Sequence, residues 1–172
     1  MKQLILSVLT VFFFGQSFGQ STKIKDENLE LTIKNIKRMF SIATDDSSPD
    51  ASTIWTACYN SENTYSKADT VELYSDEYYY MSVNCCYVTT WQFENSTTMD
   101  LSVTDVCEEP PVSSINGDDF DLRLKFKEEN GVVKLAIFSG KVLRDEFIVA
   151  GLDIVELREK KEVYHLTLIR KK

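Results

Sequence analysis

The chain has 172 residues, of which 43% are hydrophobic, and its 19 basic and 27 acidic residues give a formal charge of −8 at pH 7. Such an acidic surface repels phosphate backbones and anionic lipid headgroups, which argues against general nucleic-acid binding and against docking on anionic membranes. The length fits one domain that buries roughly 70% of its unfolded surface, and neither internal repeats nor low-complexity tracts occur.

Residues 1–19 have the layout of a secretory signal peptide. Lys2 supplies a positive start, residues 4–14 are mostly apolar, and Ser17 and Gly19 place small residues at the minus-three and minus-one positions. The apolar run is shorter than the roughly 20 residues of a spanning helix. We therefore expect cleavage after Gly19, no membrane insertion after signal removal, and an exported protein in the periplasm or the extracellular space. Cleavage removes one lysine and no acid, so the formal charge falls from −8 to −9.

Residues 20–52 are predicted to form an N-terminal helix and a linker. In NLELTIKNIKRMF, the apolar residues at helical spacing are Leu29, Ile33, Ile36 and Phe40. Basic residues lie opposite them. Leu29, Leu31 and Ile33 also alternate as in a strand, but the length of the pattern favours a helix, and Asp26 is placed to cap it. The polar stretch at residues 44–52 is typical of a linker. We expect the helix to pack on the side or the end of the domain.

Residues 53–172 form the predicted β domain, in which apolar and polar residues alternate strand after strand. The candidate strands are residues 53–59, DTVELYS, EYYYMSV, YVTTWQFE, TTMDLSV, FDLRLKF, VVKLAIF, residues 147–149, DIVELRE and EVYHLTLIR. A loop, CEEPPVSSINGDD, precedes FDLRLKF, and Asn130-Gly131 marks a tight turn after it. Strict alternation gives each strand one wet and one dry face, as in antiparallel sheets. The pattern therefore indicates a mainly β fold, a barrel or a sandwich of about eight or nine strands.

The order of these strands, the tryptophan Trp55 in the first one, and the ending EVYHLTLIRK resemble the lipocalin-like proteins that bacteria secrete. The resemblance covers residues 53–171, and the ending matches a final strand of the form Tyr-x-Leu-x-Leu followed by a basic residue: Tyr164, Leu166, Leu168 and Arg170. The first strand has Thr53-Ile54-Trp55 where that family has Gly-x-Trp. The resemblance implies an antiparallel up-and-down barrel that its last strand closes, with an interior that holds a small apolar ligand.

The cysteines Cys58, Cys85, Cys86 and Cys107 are predicted to form two disulfides. An even number of cysteines in an exported chain indicates disulfides, and the Cα atoms of neighbours lie about 3.8 Å apart, below the usual ~4.4 Å for a direct bond. We therefore expect one of Cys85 and Cys86 to pair with Cys58 and the other with Cys107. A zinc site is the alternative, but the chain has no C-x-x-C pair. No metal and no cofactor are expected.

The stretch EYYYMSVNCCYVTTWQF is rich in aromatic residues, which either form the core of the domain or line a binding site. Strand alternation puts Tyr87, Trp91 and Phe93 on one face and polar side chains on the other, so Trp91 is predicted to point inward. An inward aromatic face is either plain core or the lining of a cavity, where tyrosine hydroxyls act as polar handles. The residues that we expect to line a ligand cavity are Trp55, Tyr79, Tyr87, Trp91 and Phe93. A set of large inward candidates argues against a large cavity: Trp55, Trp91, Phe93, Phe120, Phe126 and Phe138.

No sequence signature of an enzyme is present, so no catalytic residue is predicted and the protein is not expected to be an enzyme. The chain lacks the G-x-S-x-G, H-E-x-x-H and phosphate-loop patterns, and its single histidine, His165, lies in the middle of a predicted strand. Two functions remain. The first is an exported lipocalin-like barrel that binds a small apolar ligand in its interior. The second is a periplasmic or secreted module with a filled barrel that binds another protein, such as an inhibitor, an immunity-type protein or an envelope component.

Overall fold

The computed structural model describes residues 29–42, 53–60, 64–77, 79–83, 85–114, 117–157 and 160–172. The predicted signal peptide, its cleavage site and the predicted linker at residues 44–52 lie outside these described residues.

The described chain is built mainly from β-strands, with three helices and one 3-10 turn. The helices are α1 (Ile33–Ile42), α2 (Thr64–Lys67) and α3 (Tyr79–Ser82), and the 3-10 turn is Gly117–Asp119. The strands are β1 (Ile54–Tyr59), β2 (Thr70–Tyr74), β3 (Tyr87–Asn95), β4 (Thr98–Asp105), β5 (Val112–Ser114), β6 (Leu122–Glu129), β7 (Val132–Ser139), β8 (Val142–Glu156) and β9 (Glu162–Arg170).

Eight of the strands close into an antiparallel barrel, which confirms the predicted fold class. Their order is β1, β2, β9, β8, β7, β6, β4 and β3, and β3 pairs again with β1. The additional strand β5 pairs with the last residues of β4, while β6 pairs only with the first residues of β4. Closure gives every barrel strand a partner on both sides, although β4 and β6 pair over only two residues and β1 and β2 over one.

The order departs from a simple up-and-down meander at β1, which lies between β2 and β3. The connection from β2 to β3 therefore passes over the outer face of β1. There the Thr56 hydroxyl donates a hydrogen bond to the Asp76 carbonyl at 2.7 Å, and Thr56 is buried although it points away from the barrel interior. The predicted strand EYYYMSV lies in this connection, and its assignment was wrong: the segment contains helix α3.

Alternation in the strands places the core inside the barrel, as predicted. In β6, Leu122 and Leu124 are buried and Arg123 and Lys125 are exposed. Two of the large side chains expected inside lie elsewhere. Phe120 precedes β6 and is 49% exposed. Phe138 lies under the Lys125 ammonium group, 4.5 Å from the ring centroid, on the outer face. Strand β8 is one long strand where the sequence indicated two, with a register irregularity between Val149 and Gly151.

Helix α1 closes one end of the barrel, called the helix end below. Phe40 is fully buried there, stacked on Phe93 with ring centroids 4.1 Å apart and edge-on to Trp55 at 5.3 Å. The predicted helix is confirmed, but its first turn is capped by Thr32, whose hydroxyl accepts the Asn35 N–H at 3.2 Å. Asp26, the predicted cap, lies outside the described residues. Because α1 fills the space between the ends of the strands, this half of the barrel is solid core.

Two disulfides fasten the connection that passes over β1. Cys58 in β1 pairs with Cys85, and Cys86 pairs with Cys107 after β4. The expectation that Cys58 and Cys107 each bond to one member of the adjacent pair is confirmed, and all four cysteines are oxidised. Both bonds lie at the end of the barrel opposite helix α1, where β1 and β4 end and β3 begins. This end is called the open end below.

Candidate functional site

A cavity of about 490 Å³ lies at the open end of the barrel, opposite helix α1. Its walls come from the ends of β1, β3, β4 and β5, from helix α2, and from side chains on the loops around the mouth. The lining residues are Tyr59, Tyr65, Ser66, Tyr87, Thr89, Leu101, Val103, Asp105, Glu108, Val112, Ser114, Asp119 and Arg144. This volume lies in the range of pockets that hold small molecules.

The strand register gives the depth of each lining residue. Tyr87 pairs with both Tyr59 and Asp105 near the mouth, Thr89 pairs with Val103 one step deeper, and Trp91 pairs with Leu101 below that. A step of two residues along a strand is about 7 Å. The cavity therefore has an outer level at Asp105, a middle level at Thr89 and an inner level at Leu101.

The inner part of the cavity contains buried polar atoms that lack a hydrogen-bond partner among the described residues. They are the hydroxyl oxygens of Tyr59, Tyr65 and Thr89. The indole nitrogen Nε1 of Trp91 also has no partner, and it lies next to the Tyr65 hydroxyl but not on the lining. Thr89 and Trp91 have no exposed surface, and Tyr65 is 6% exposed. Leaving a buried polar group without a partner costs about 1–3 kcal/mol. Such groups around one cavity are the arrangement that a bound molecule with matching polar atoms would satisfy.

Arg170, the basic residue after the final Tyr-x-Leu-x-Leu pattern, holds helix α2 over the cavity. Its Nη2 donates to the Tyr65 carbonyl at 2.6 Å, and its Nε donates to the Ala68 carbonyl at 3.1 Å. The guanidinium group lies over the Tyr65 ring, 5.2 Å from the centroid, and forms an ion pair with Asp145. Charge-assisted hydrogen bonds of this kind are stronger than neutral ones. Arg170 therefore fixes the position of the Tyr65 ring, and its own charge is balanced.

Two of the tyrosines in the wall, Tyr59 and Tyr65, remain protonated near neutral pH. Burial raises the pKa of Tyr65 to about 12, and the positive charges of Arg170 and Arg144 oppose this increase. The Trp91 N–H lies near the Tyr65 hydroxyl and also opposes the rise in its pKa, but the two groups do not reach hydrogen-bond geometry. Burial likewise raises the pKa of Tyr59 far above its usual value. Each phenol is therefore a neutral donor and acceptor.

The mouth of the cavity is acidic. Arg144 forms an ion pair with Asp119, so these two charges balance each other. Asp105 accepts the Cys107 N–H at 3.0 Å through one carboxylate oxygen, and neither Asp105 nor Glu108 has an ion-pair partner among the described residues. The lining thus carries three carboxylates and one guanidinium group, a net formal charge of −2.

The structure distributes the five predicted cavity residues over different parts of the fold. Tyr87 lines the cavity, whereas Trp91 is buried next to it and does not line it; the register partner of Trp91, Leu101, does. Trp55 and Phe93 lie at the helix end, in the solid core around Phe40. Tyr79 lies in α3, outside the barrel.

Other cavity residues were missed by the sequence reasoning. Thr89 shares the inward face with Tyr87 and Trp91, so the same alternation contained the signal for it. Tyr65 and Arg170 reach the site only through the tertiary fold, because they are about a hundred residues apart in the chain.

The only histidine of the chain, His165, lies in an aromatic stack outside the barrel. The Tyr74 ring stacks on Tyr79 at 3.7 Å and on His165 at 4.6 Å between centroids. Burial lowers the pKa of His165, so the ring is neutral at physiological pH. This stack covers the outer side of the sheet and does not reach the cavity.

Three carboxylates near the helix end lie close together, with candidate ligand atoms of Glu94, Asp100 and Asp121 within 4.8 Å of one another. Asp100 already accepts the Asp121 N–H at 2.9 Å, and the group is exposed or half-exposed. Surface acids in this arrangement are common without a metal, so the cluster carries no assignment.

In the part of the chain that the structure describes, none of the helices has the length and apolar character needed to cross a membrane. Comparison of the chain with protein-family models, with curated proteins and with solved structures finds no match.

Proposed function

We propose that this protein binds a small molecule in the cavity at the open end of its barrel. The observation that carries the proposal is the set of buried polar atoms without a partner on the lining of that cavity, namely the hydroxyl oxygens of Tyr59, Tyr65 and Thr89. The packed helix end supports it as well, because among the described residues the core around Phe40 occupies one end of the barrel and leaves the open end for a ligand to enter.

The proposed ligand differs from the purely apolar one that the sequence implied. Leu101 and Val103 give the middle of the cavity apolar walls, which suit an apolar or aromatic body. The inner polar atoms suit a hydroxyl or carbonyl group on that body. We therefore propose a compact ligand whose polar end is inserted first.

The lipocalin-like relationship and the exported location belong to this proposal. The closed antiparallel barrel is compatible with a lipocalin-like protein, and two disulfides fit a protein of an oxidising compartment. We propose a binding or carrier role without a catalytic step, since the single histidine lies in the outer stack and not beside the cavity.

The experiment uses 4-ethylphenol, a small aromatic ring with one hydroxyl, in saturation-transfer NMR. We expect transfer from the wild-type protein and none from Val103→Phe, because the larger side chain fills the middle of the cavity. Val132→Phe is the matched control, since Val132 is 38% exposed at the start of β7 near the helix end. Equal transfer from all three proteins would show that the probe binds elsewhere, and no transfer from the wild type would overturn the proposal.

A second candidate function, docking of a protein partner, is favoured by apolar side chains on the outer face of the sheet near the open end. Leu143 is 50% exposed and pairs with Phe138, whose ring also lies on the outer face. Exposed apolar groups that adjoin one another are typical of protein contacts. Binding of a protein partner does not require the cavity. This candidate therefore predicts that Val103→Phe leaves partner binding unchanged and that Leu143→Lys abolishes it.

A further inference from the structure

We infer that the ligand carries a positive charge at its outer end: an amine whose other end bears a hydroxyl or carbonyl group. This inference rests on the proposed function and specifies the ligand class of the same cavity.

The inner end of the ligand is an uncharged polar group. The lining hydroxyls of Tyr59, Tyr65 and Thr89 both donate and accept, and none of them carries a charge. An ammonium group at this depth is buried away from the carboxylates of the mouth, which is costly. A hydroxyl or carbonyl group is satisfied by the neutral lining hydroxyls without that cost.

An acidic group is disfavoured in this cavity. The cations near it are already neutralised, Arg144 by Asp119 and Arg170 by Asp145. A carboxylate ligand therefore finds no unbalanced positive charge, and it adds to the net −2 of the lining. Burial of an unpaired ion is costly. The cavity thus selects against fatty acids and other carboxylates.

The outer end of the ligand meets the carboxylates of Asp105 and Glu108. Asp105 keeps one oxygen available, since only its Oδ1 accepts the Cys107 N–H. The register places Asp105 two residues above Thr89 along the β3–β4 pair, which is about 7 Å. An amine separated from a hydroxyl by roughly this distance reaches both levels at once, with its apolar body between Leu101 and Val103.

The experiment compares three probes with the same 4-hydroxyphenyl ring: tyramine, 4-ethylphenol and 3-(4-hydroxyphenyl)propionate. Dissociation constants are measured on the whole protein by protein-detected NMR titration at low salt. We expect tyramine to bind about tenfold more tightly than the propionate, with 4-ethylphenol between them. Added salt is expected to reduce the difference between tyramine and the propionate, because the charges lie near solvent.

Matched variants separate a local effect from the overall negative charge. Glu108→Gln and Glu128→Gln remove the same charge, but Glu128 is exposed on β6 near the helix end. We expect Glu108→Gln, and Asp105→Asn with it, to reduce the preference for tyramine over 4-ethylphenol about threefold or more, and Glu128→Gln to leave that preference unchanged.

The outcomes distinguish this inference from the proposed function. Binding of 4-ethylphenol with tyramine no tighter than the propionate, or an equal effect of Glu108→Gln and Glu128→Gln, overturns the amine inference and leaves the cavity as a ligand site. Failure of all three probes to bind overturns both.

Discussion

Replacing Phe40 by alanine tests whether helix α1 closes one end of the barrel. The Phe40 ring has no exposed surface and contacts three other aromatic rings, those of Phe93, Trp55 and Phe126. An aromatic side chain buries about 150–250 Å², worth roughly 4–6 kcal/mol at about 25 cal/mol per Å². Alanine keeps part of this area, and the unfolded chain is not fully extended. We therefore expect Phe40→Ala to lower the free energy of unfolding by about 3–5 kcal/mol.

The assay is equilibrium urea unfolding of the oxidised protein, followed by tryptophan emission. Phe120→Ala is the matched control, because it makes the same chemical change at a side chain that is 49% exposed, and we expect a loss of less than about 1 kcal/mol. Trp55 lies edge-on to Phe40, so the native emission of Phe40→Ala is also expected to shift to longer wavelength. If Phe40→Ala costs no more than Phe120→Ala, helix α1 does not form part of the core and the reasoning fails.

Three further predictions concern the disulfides, the cavity tyrosine and the N-terminus. Replacing either disulfide pair by alanine, Cys58 with Cys85 or Cys86 with Cys107, is expected to lower the free energy of unfolding by roughly 3–4 kcal/mol. The reason is that the bonds join residues 27 and 21 positions apart and so constrain the unfolded chain. Urea unfolding measures this loss, and a change below about 1 kcal/mol would contradict the prediction. The pKa of Tyr65 is raised on folding from 10.0 to about 12, so its contribution to stability is fully present below pH 10 and is lost as the pH rises through 12; thermal unfolding across this window is expected to show a decline that Tyr65→Phe makes smaller, and an identical decline in the variant would refute the assignment. The intact mass of the exported protein is expected to correspond to a chain that begins at Gln20, and retention of residues 1–19 would show that the signal peptide was misread.

Much of the fold was predictable because alternation in a strand reports directly which face is dry. Leu122 and Leu124, and likewise Tyr87 and Trp91, lie on the faces that their spacing indicates. Cys58 and Cys107 were each expected to bond to one of Cys85 and Cys86, because adjacent cysteines are too close together for the usual disulfide geometry. These inferences depend on neighbours in the chain, so one sequence is sufficient for them.

The remaining features depend on contacts that the sequence does not contain. Tyr79 lies in a strand-like stretch rich in tyrosine, but the chain crosses the outer face of β1 there and forms α3, so tertiary context overrides propensity. Phe138 lies on the outer face under Lys125, because its strand faces the other way from the one assumed. The cavity itself depends on the positions of α2, which Arg170 holds, and of β5 at the open end. These positions are set by tertiary contacts, so no local sequence pattern predicts them.

The central claim is that the open end binds a small molecule while the helix end is closed, and the two tryptophans test it in one spectrum. Trp91 contacts the cavity wall, next to the Tyr65 hydroxyl and paired with Leu101, whereas Trp55 lies beside Phe40 at the helix end. A ¹H–¹⁵N spectrum of the protein shows one indole N–H signal for each, and Trp91→Phe assigns them. On titration with 4-ethylphenol, we expect the Trp91 signal to shift in a saturable manner and the Trp55 signal to stay in place. A stationary Trp91 signal, or a Trp55 shift of equal size, would contradict the account.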